Sequence, residues 1–414
     1  VDYNGQREIV FIFSKQATQK NMTLLLFRHP RLFDYHASSI EETFAFFSKV
    51  ISTFYFYDLQ LSEHPINIVH CHDWHTALVP LLIGESNKLN RQETMQSQKV
   101  KTIFTIHNLL YQGVEKESII ERIGAPRVLF HPLGGARKGK ISFLREGLEY
   151  ADCISTVSPT YAKEIVETVH QDAIGDVLKR RRHAVVGILN GIDVHLWNPS
   201  HDAALPHRYD GQSVFTEKPK LKRLLQREVG LPQKDVPLFS FVGRIEPRQK
   251  GIDIVLEALA VLARTKALQA VFLGTGDPKS VKSLRALARA YKKKIAFVHA
   301  FDEVLARRMY AGADAFLVPS KFEPCGLTQM IAMRYGTVPI VRKTGGLADT
   351  VVDGVNGIVF GPYSAHALAG AILRACELRK SAPQIWKRMI TAGMKEDFSW
   401  DRSAREYISL YKRL

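Results

Sequence analysis

Glu323 stands inside the run Ser-Lys-Phe-Glu-Pro-Cys-Gly-Leu-Thr-Gln (320–329), two residues ahead of a Cys-Gly-Leu turn that opens an amphipathic helical pattern. Beyond Pro324, the first amides of that helix have no intrahelical acceptor, and they sit at the positive end of its dipole. Backbone donors at Cys325, Gly326, Leu327 and Thr328, set beside a carboxylate, can hold a polyhydroxylated ring by several hydroxyls at once. The same carboxylate could equally be a plain capping device. The residue types alone leave both readings open.

Two cations form a second candidate group. Arg244 and Lys250 lie in Gly-Arg-Ile-Glu-Pro-Arg-Gln-Lys-Gly (243–251), between a strand pattern and a helix pattern. Such a loop lets both cations overhang the cleft, where they can meet developing negative charge. Each close cation–phosphate contact is worth about 4 kcal/mol at an effective dielectric near 20, so two cations could take the place of a metal. The chain contains no Asp-x-Asp, a common carboxylate pair for holding a divalent ion. Two exposed loop cations would read the same way.

His107 ends the strand pattern Phe-Thr-Ile-His and is followed by Asn108 and Tyr111. The segment His-Cys-His-Asp-Trp-His (70–75) invites a zinc site, but alternation along a strand sends His70 and His72 to one face and Cys71 to the other. No further Cys-x-x-Cys or His-x-x-x-His completes a tetrahedral set, so no metal is expected. Gly345 and Gly346, in Thr-Gly-Gly-Leu (344–347), follow a strand and begin a helix. Gly-Thr-Gly-Asp (274–277) is only a tight turn. There is no serine triad, no cysteine activated beside a histidine and no carboxylate pair of the double-displacement kind.

The elements that must position these residues alternate between short apolar runs and helical patterns, which predicts an α/β fold with parallel sheets. Strands are expected at 66–73, 101–108, 152–158 and 184–190, with a helix from Trp74 to about Leu82. After a polar stretch around 199–220 the alternation restarts. Strands are expected at 237–244, 269–276, 295–301, 313–318 and 337–341, and helices at 251–265, 279–292, 302–311 and near 364–379. This reads as two Rossmann-like, doubly wound domains facing a cleft, 1–188 and 189–396, with a final helix in 397–414. Ligands in such sheets sit beyond the carboxyl ends of the strands, and the polar segments quoted above fall there.

Composition narrows the partners. At 414 residues with 46% apolar and 24% charged side chains, the chain is of globular type with room for two cores. No apolar run approaches the roughly 20 residues of a membrane span, and no signal-peptide pattern precedes the first domain. Four scattered cysteines fit a reducing cytoplasm. The net charge of +16 reads either as a phosphate-rich partner or as a solvated basic surface. The dense basic runs, 179–183 and 292–294, lack interleaved aromatics and any nucleic-acid-binding signature, so no nucleic acid is expected. A nucleotide ligand accounts for only part of that charge.

The runs SKFEPCGLTQ, YGTVPIV and RKTGGLADTV, with HDWH far upstream, resemble the signature of bacterial and plant glycogen and starch synthases. The likeness extends from about Leu24 to the C-terminus. It implies the GT-B fold and a retaining transfer of glucose from a nucleotide diphosphate glucose, ADP-glucose ahead of UDP-glucose, to the 4-hydroxyl end of an α-1,4-glucan such as glycogen or starch. It implies no metal or other cofactor. Glu323, His107, Arg244 and Lys250 would be catalytic, and Asn190, Cys325, Gly326, Leu327, Thr328, Gly345 and Gly346 would hold the donor. Phe301 would lie near the base, although core packing accounts for it equally well. Asp73, Trp74 and His75 would line the acceptor side, where an aromatic face suits a neutral glucan. The final helix would cross back onto the first domain.

Two departures stand out. The loop between Arg244 and Lys250 is one residue longer than is usual in bacterial members. The family's N-terminal Lys-x-Gly-Gly-Leu segment is also missing, so the first domain is expected to be truncated, with unpaired strand edges and bare apolar surface. A fragment of a full-length enzyme is the favoured account. The rivals are a catalytically impaired glucan- or nucleotide-binding homologue, and a GT-B transferase with a different acceptor.

Overall fold

The computed structural model describes residues 1–17, 22–30, 39–61, 66–90, 100–133, 137–167 and 173–414. The portion of the resembling stretch at 31–38 lies outside them. The chain divides into two compact units. One comprises Val1–Val157, Ala162–Gly187 and Tyr411–Leu414; the other comprises Ser158–Tyr161 and Ile188–Leu410.

After a pair of two-residue strands, Asp2–Tyr3 with Gln6–Arg7, the first unit has an antiparallel hairpin, β1 (Phe11–Gln16) and β2 (Thr23–Arg28), followed by helix α1 (Ile40–Leu61). Then come β3 (Ile68–His72), α2 (Val79–Asn90), β4 (Lys101–Ile106), α3 (Phe143–Tyr150), β5 (Cys153–Thr156) and β6 (Val185–Gly187). Strands β3 to β6 form a parallel sheet in the order β6-β5-β4-β3. Residues Thr102 to Ile106 of β4 are all buried, as a central parallel strand covered on both faces must be. Gly147 lets α3 approach this strand: a Cβ there would meet Phe104 and Ala77 at 2.9 Å. Among the described residues β3 is an edge strand, and the hairpin leaves Phe11, Phe13, Leu24 and Leu26 half exposed.

The helix expected to run from Trp74 to Leu82 is instead a 3-10 turn, Trp74–Thr76, with α2 beginning at Val79. Pro80 is the reason, since proline is tolerated in a first helical turn but not inside a helix. Upstream, Thr76 Oγ1 closes the turn by accepting from His72 N at 2.7 Å and donating to His72 O at 3.0 Å.

The second unit contains α4 (Val214–Glu228), β7 (Leu238–Val242), α5 (Ile252–Thr265), β8 (Gln269–Leu273), α6 (Pro278–Ala290), β9 (Ile295–Val298), α7 (Glu303–Gly312) and β10 (Ala315–Val318). It continues with α8 (Thr328–Arg334), β11 (Val338–Arg342), α9 (Gly345–Thr350), β12 (Ile358–Phe360), α10 (Ala365–Ser381), α11 (Pro383–Lys395) and α12 (Trp400–Arg413), whose residues from Tyr411 on belong to the first unit. Its six strands are parallel in the order β9-β8-β7-β10-β11-β12. This is the doubly wound arrangement, and its strand order reverses between β7 and β10. Helix α4 replaces part of the expected polar stretch; its Pro219 and dense charge mask the helical period. Helix α11 was also not expected, because a proline opens it directly after α10.

Candidate functional site

The reversal point between β7 and β10 is where the second unit gathers its chemistry. Arg244 leaves the end of β7, and Ser320 and Glu323 leave the end of β10. Lys250 Nζ lies 3.0 and 2.8 Å from the two oxygens of Glu323, and Ser320 Oγ donates to the same carboxylate at 2.7 Å. The Glu323 side chain is only 7% exposed, against 23% for Lys250, so the pair is partly desolvated. A capping role alone does not describe a carboxylate held in this way.

Close backbone contacts hold the turn around it. Gly346 N donates to Glu323 O at 3.1 Å. A Cβ on Gly345 would come within 2.0 Å of Glu323 O, and one on Gly346 within 2.1 Å of Cys325 O. Only glycine lets the start of α9 press against this turn. Gln329 ties the far side, donating to Gly326 O at 2.6 Å and to Thr350 Oγ1 at 3.1 Å. Among the described residues the amides of Cys325, Gly326 and Leu327 have no acceptor, and no side chain caps α8. Leu327 is exposed and Thr328 half-buried at the same turn. Cys325 is buried, and that burial pushes its thiol up to about 12 despite a hydrogen bond from the Asn190 backbone. It is therefore no nucleophile at neutral pH. Asn190 thus joins the same cluster.

The 243–251 loop is tied to the 319–324 loop by residues that motif reading missed. Arg244 Nη2 donates to Gln249 Oε1 at 2.8 Å, and Lys321 N donates to Gln249 O at 2.7 Å. Arg342 Nε donates to Ser320 O at 2.7 Å. The guanidinium of Arg342 also lies over the ring of Tyr363, whose hydroxyl donates to Asp253 at 2.6 Å. Ser320 lay inside the quoted run, only three residues from Glu323. Arg342 likewise opens the quoted run RKTGGLADTV, whereas Tyr363 carries no spacing signal, because only the fold brings it to this loop. Phe301, by contrast, is 95% exposed, which overturns its reading as a core residue.

The remaining candidates cluster in the first unit. Asp73 adopts φ 54°, unusual for a residue other than glycine. Its carboxylate accepts from His107 N at 2.7 Å and Asn108 N at 3.4 Å, so it organises the ends of β3 and β4. The ring of His107 meets His72 Nδ1 at 3.0 Å, and His72 stacks on His70. His70 in turn bonds Thr105 Oγ1 at 2.5 Å and the Tyr411 hydroxyl at 2.8 Å. Burial, followed by His72 and His107, lowers His70 to about 4. Burial lowers His72 and His75 as well. Trp74 corrects the expectation of an aromatic face offered to a ligand. It is 7% exposed and wedged between Phe44, Phe143 and Gly113, where a Cβ would come within 2.4 Å of the indole. Its ring is committed to the core, and it is His75 that lies against both Trp74 and Phe44. Among the described residues no group of three His, Cys, Asp or Glu side chains is placed to hold a metal ion.

Comparison with known proteins agrees across both units. Residues 3–180 match the starch synthase catalytic domain family, and residues 222–392 match the glycosyl transferases group 1 family. A glycogen synthase of Thermodesulfovibrio yellowstonii is 42% identical over 374 residues, which cover 90% of this chain and 73% of that protein. One from Anaeromyxobacter is 43% identical over 354 residues, covering 84% and 73%. Among solved structures, the catalytic domain of starch synthase IV from Arabidopsis thaliana, bound to ADP and acarbose, superposes with a TM-score of 0.86 at 29% identity. That match covers 99% of this chain and 86% of the other.

Proposed function

We propose, for a chain that belongs to the glycogen and starch synthase family of GT-B hexosyltransferases, transfer of glucose from ADP-glucose to the 4-hydroxyl end of an α-1,4-glucan with retention. The observation that carries the reading is the buried Glu323 carboxylate, bonded to Lys250 and Ser320 beside a turn of open amides at the sheet's reversal point. UDP-glucose is the second donor to be tested. ADP comes first because the plant starch synthase of the same fold holds it.

In this mechanism Glu323 and the amides of Cys325, Gly326 and Leu327 hold the glucose hydroxyls. Lys250 spends two of its three N–H bonds on Glu323 and turns the third, with Arg244, toward the leaving diphosphate. The departing phosphate assists the incoming hydroxyl on the same face of the sugar, so catalysis is mainly positioning and charge stabilisation. With Arg244 and Lys250 meeting the diphosphate charge, the reading calls on no metal. Asn190, Thr328 and the Gly345–Gly346 turn complete the donor site. In the first unit, His107 is the residue assigned to the transferred glucose, and Asp73 and His75 are assigned to the acceptor. The cytoplasm is the proposed compartment. All four cysteines are free, and among the described residues no helix is long and apolar enough to cross a membrane.

The test is glucose incorporation into glycogen from ADP-glucose and from UDP-glucose, without added metal, by the chain and by its Glu323→Ala variant. Incorporation that Glu323→Ala abolishes supports the reading and identifies the donor. A folded chain that transfers from neither donor, or whose transfer survives Glu323→Ala, overturns it.

A further inference from the structure

The donor reading leaves most of the +16 charge of the chain unexplained. A second concentration of cations lies at the opposite end of the same sheet. A cavity of about 610 Å³ opens between α4, α10 and α11 in the second unit, with six Lys and Arg side chains in its lining against two carboxylates, Asp235 and Asp314. It adjoins the start of β7, where Leu238 N donates to Asp314 at 2.8 Å. Arg244 follows the other end of that five-residue strand, on the order of 15 Å away. The cavity is therefore separate from the donor site.

Both carboxylates are already engaged. Asp314 accepts from Lys222 at 2.5 Å and from Arg379 at 2.9 Å, and Arg379 also pairs with Asp235. Among the described residues this leaves Lys218, Arg223, Lys234 and Lys387 at the cavity without a carboxylate of their own, Lys218 being held by the carbonyls of Ala311 and Tyr335. Clustered like charges repel unless an anion joins them. The N-terminus of α11 borders the same space, and no side chain caps it. Gln226, fully buried in the lining, has an Oε1 with no hydrogen-bond partner. Phe215 and Trp386 supply apolar wall. The volume falls in the roughly 300–1,000 Å³ range of small-molecule sites.

We propose that this cavity binds a phosphorylated small molecule. Its phosphoryl group sits among Arg223, Lys387 and the start of α11. The ligand's body lies along Phe215 and Trp386.

The experiment is calorimetric titration of the full chain carrying Arg244→Ala and Lys250→Ala, so that the donor loop does not contribute. Inorganic pyrophosphate is expected to bind this protein, and adding Arg223→Ala and Lys387→Ala is expected to weaken binding at least about tenfold. Both added substitutions are at exposed positions. Should the combined variant fail to fold, Arg223→Gln alone is read by the same titration, and Lys387→Arg is expected to retain binding. Titration with adenosine monophosphate and with glucose 1-phosphate separates a nucleotide source from a sugar phosphate; tighter binding of either than of inorganic phosphate supports the site. No pyrophosphate binding, binding indifferent to Arg223 and Lys387, or equal binding of sulfate at matched ionic strength would overturn it.

Discussion

Lys250 and Glu323, seventy-three residues apart in the chain, form a two-pronged ion pair at 2.8 and 3.0 Å that joins the loop after β7 to the loop after β10. The pair both supports the fold of the site and holds its chemistry. Lys250→Ala leaves a nearly buried carboxylate with Ser320 as its remaining side-chain partner. A loss of about 2–3 kcal/mol in the unfolding free energy of the second unit is expected, together with a roughly 10²–10³-fold fall in kcat. Pairing Lys250→Met with Glu323→Gln should return part of the stability and none of the activity. Urea melts alongside transfer assays read both. Full recovery of activity in the double variant would show that neither residue acts on substrate.

The glycine pair of α9 permits a sharper test. At Gly346 a Cβ would press within 2.1 Å of the Cys325 carbonyl, so Gly346→Ala must push the 323–327 turn aside. Overpacking of this kind costs about 1–3 kcal/mol. Because the displaced amides are those assigned to the sugar, kcat/KM for the donor should drop well beyond what the melting temperature suggests. An active enzyme with a merely lowered melting temperature would remove that turn from the donor site.

Trp74 separates packing from binding. If the indole is core, Trp74→Ala lowers stability by about 3–5 kcal/mol. Trp74→Phe should restore most of that loss and leave the KM for glucan unchanged. A raised KM for glucan with unaltered stability would instead place the indole against the acceptor.

The histidines of the first unit give it a direction on the pH scale. His70 falls from 6.5 to about 4, through burial first and then its two histidine neighbours, while His72 and His75 shift the same way. Between pH 6.5 and 4 the unfolded chain therefore binds more protons than the folded one, and stability declines as the pH falls through that window. His70 alone accounts for up to about 3 kcal/mol. Thermal melts from pH 7.5 to 4.5 should show the decline, and His70→Gln should flatten it. A slope untouched by His70→Gln would assign the acid sensitivity elsewhere.

Much of this protein was legible before folding. The alternation of apolar runs and helical patterns determined the α/β class, because parallel strands buried on both faces must be continuously apolar. Short-range chemistry was equally readable: Glu323, Cys325 and the open amides belong to one turn, so ten consecutive residues already contain that part of the site. The tertiary structure decided what is set by distance and burial. It paired Lys250 with Glu323 and brought Arg342 and Tyr363 to the same loops, since strand order rather than sequence spacing makes β7, β10 and β11 neighbours. It withdrew Trp74 into the core and left Phe301 in solvent, because an aromatic residue next to a polar motif does not reveal which face its ring will take. It also assembled the basic cavity from helix α4 on one side and α10 and α11 on the other, whose cations lie more than 150 residues from those of α4 in the chain.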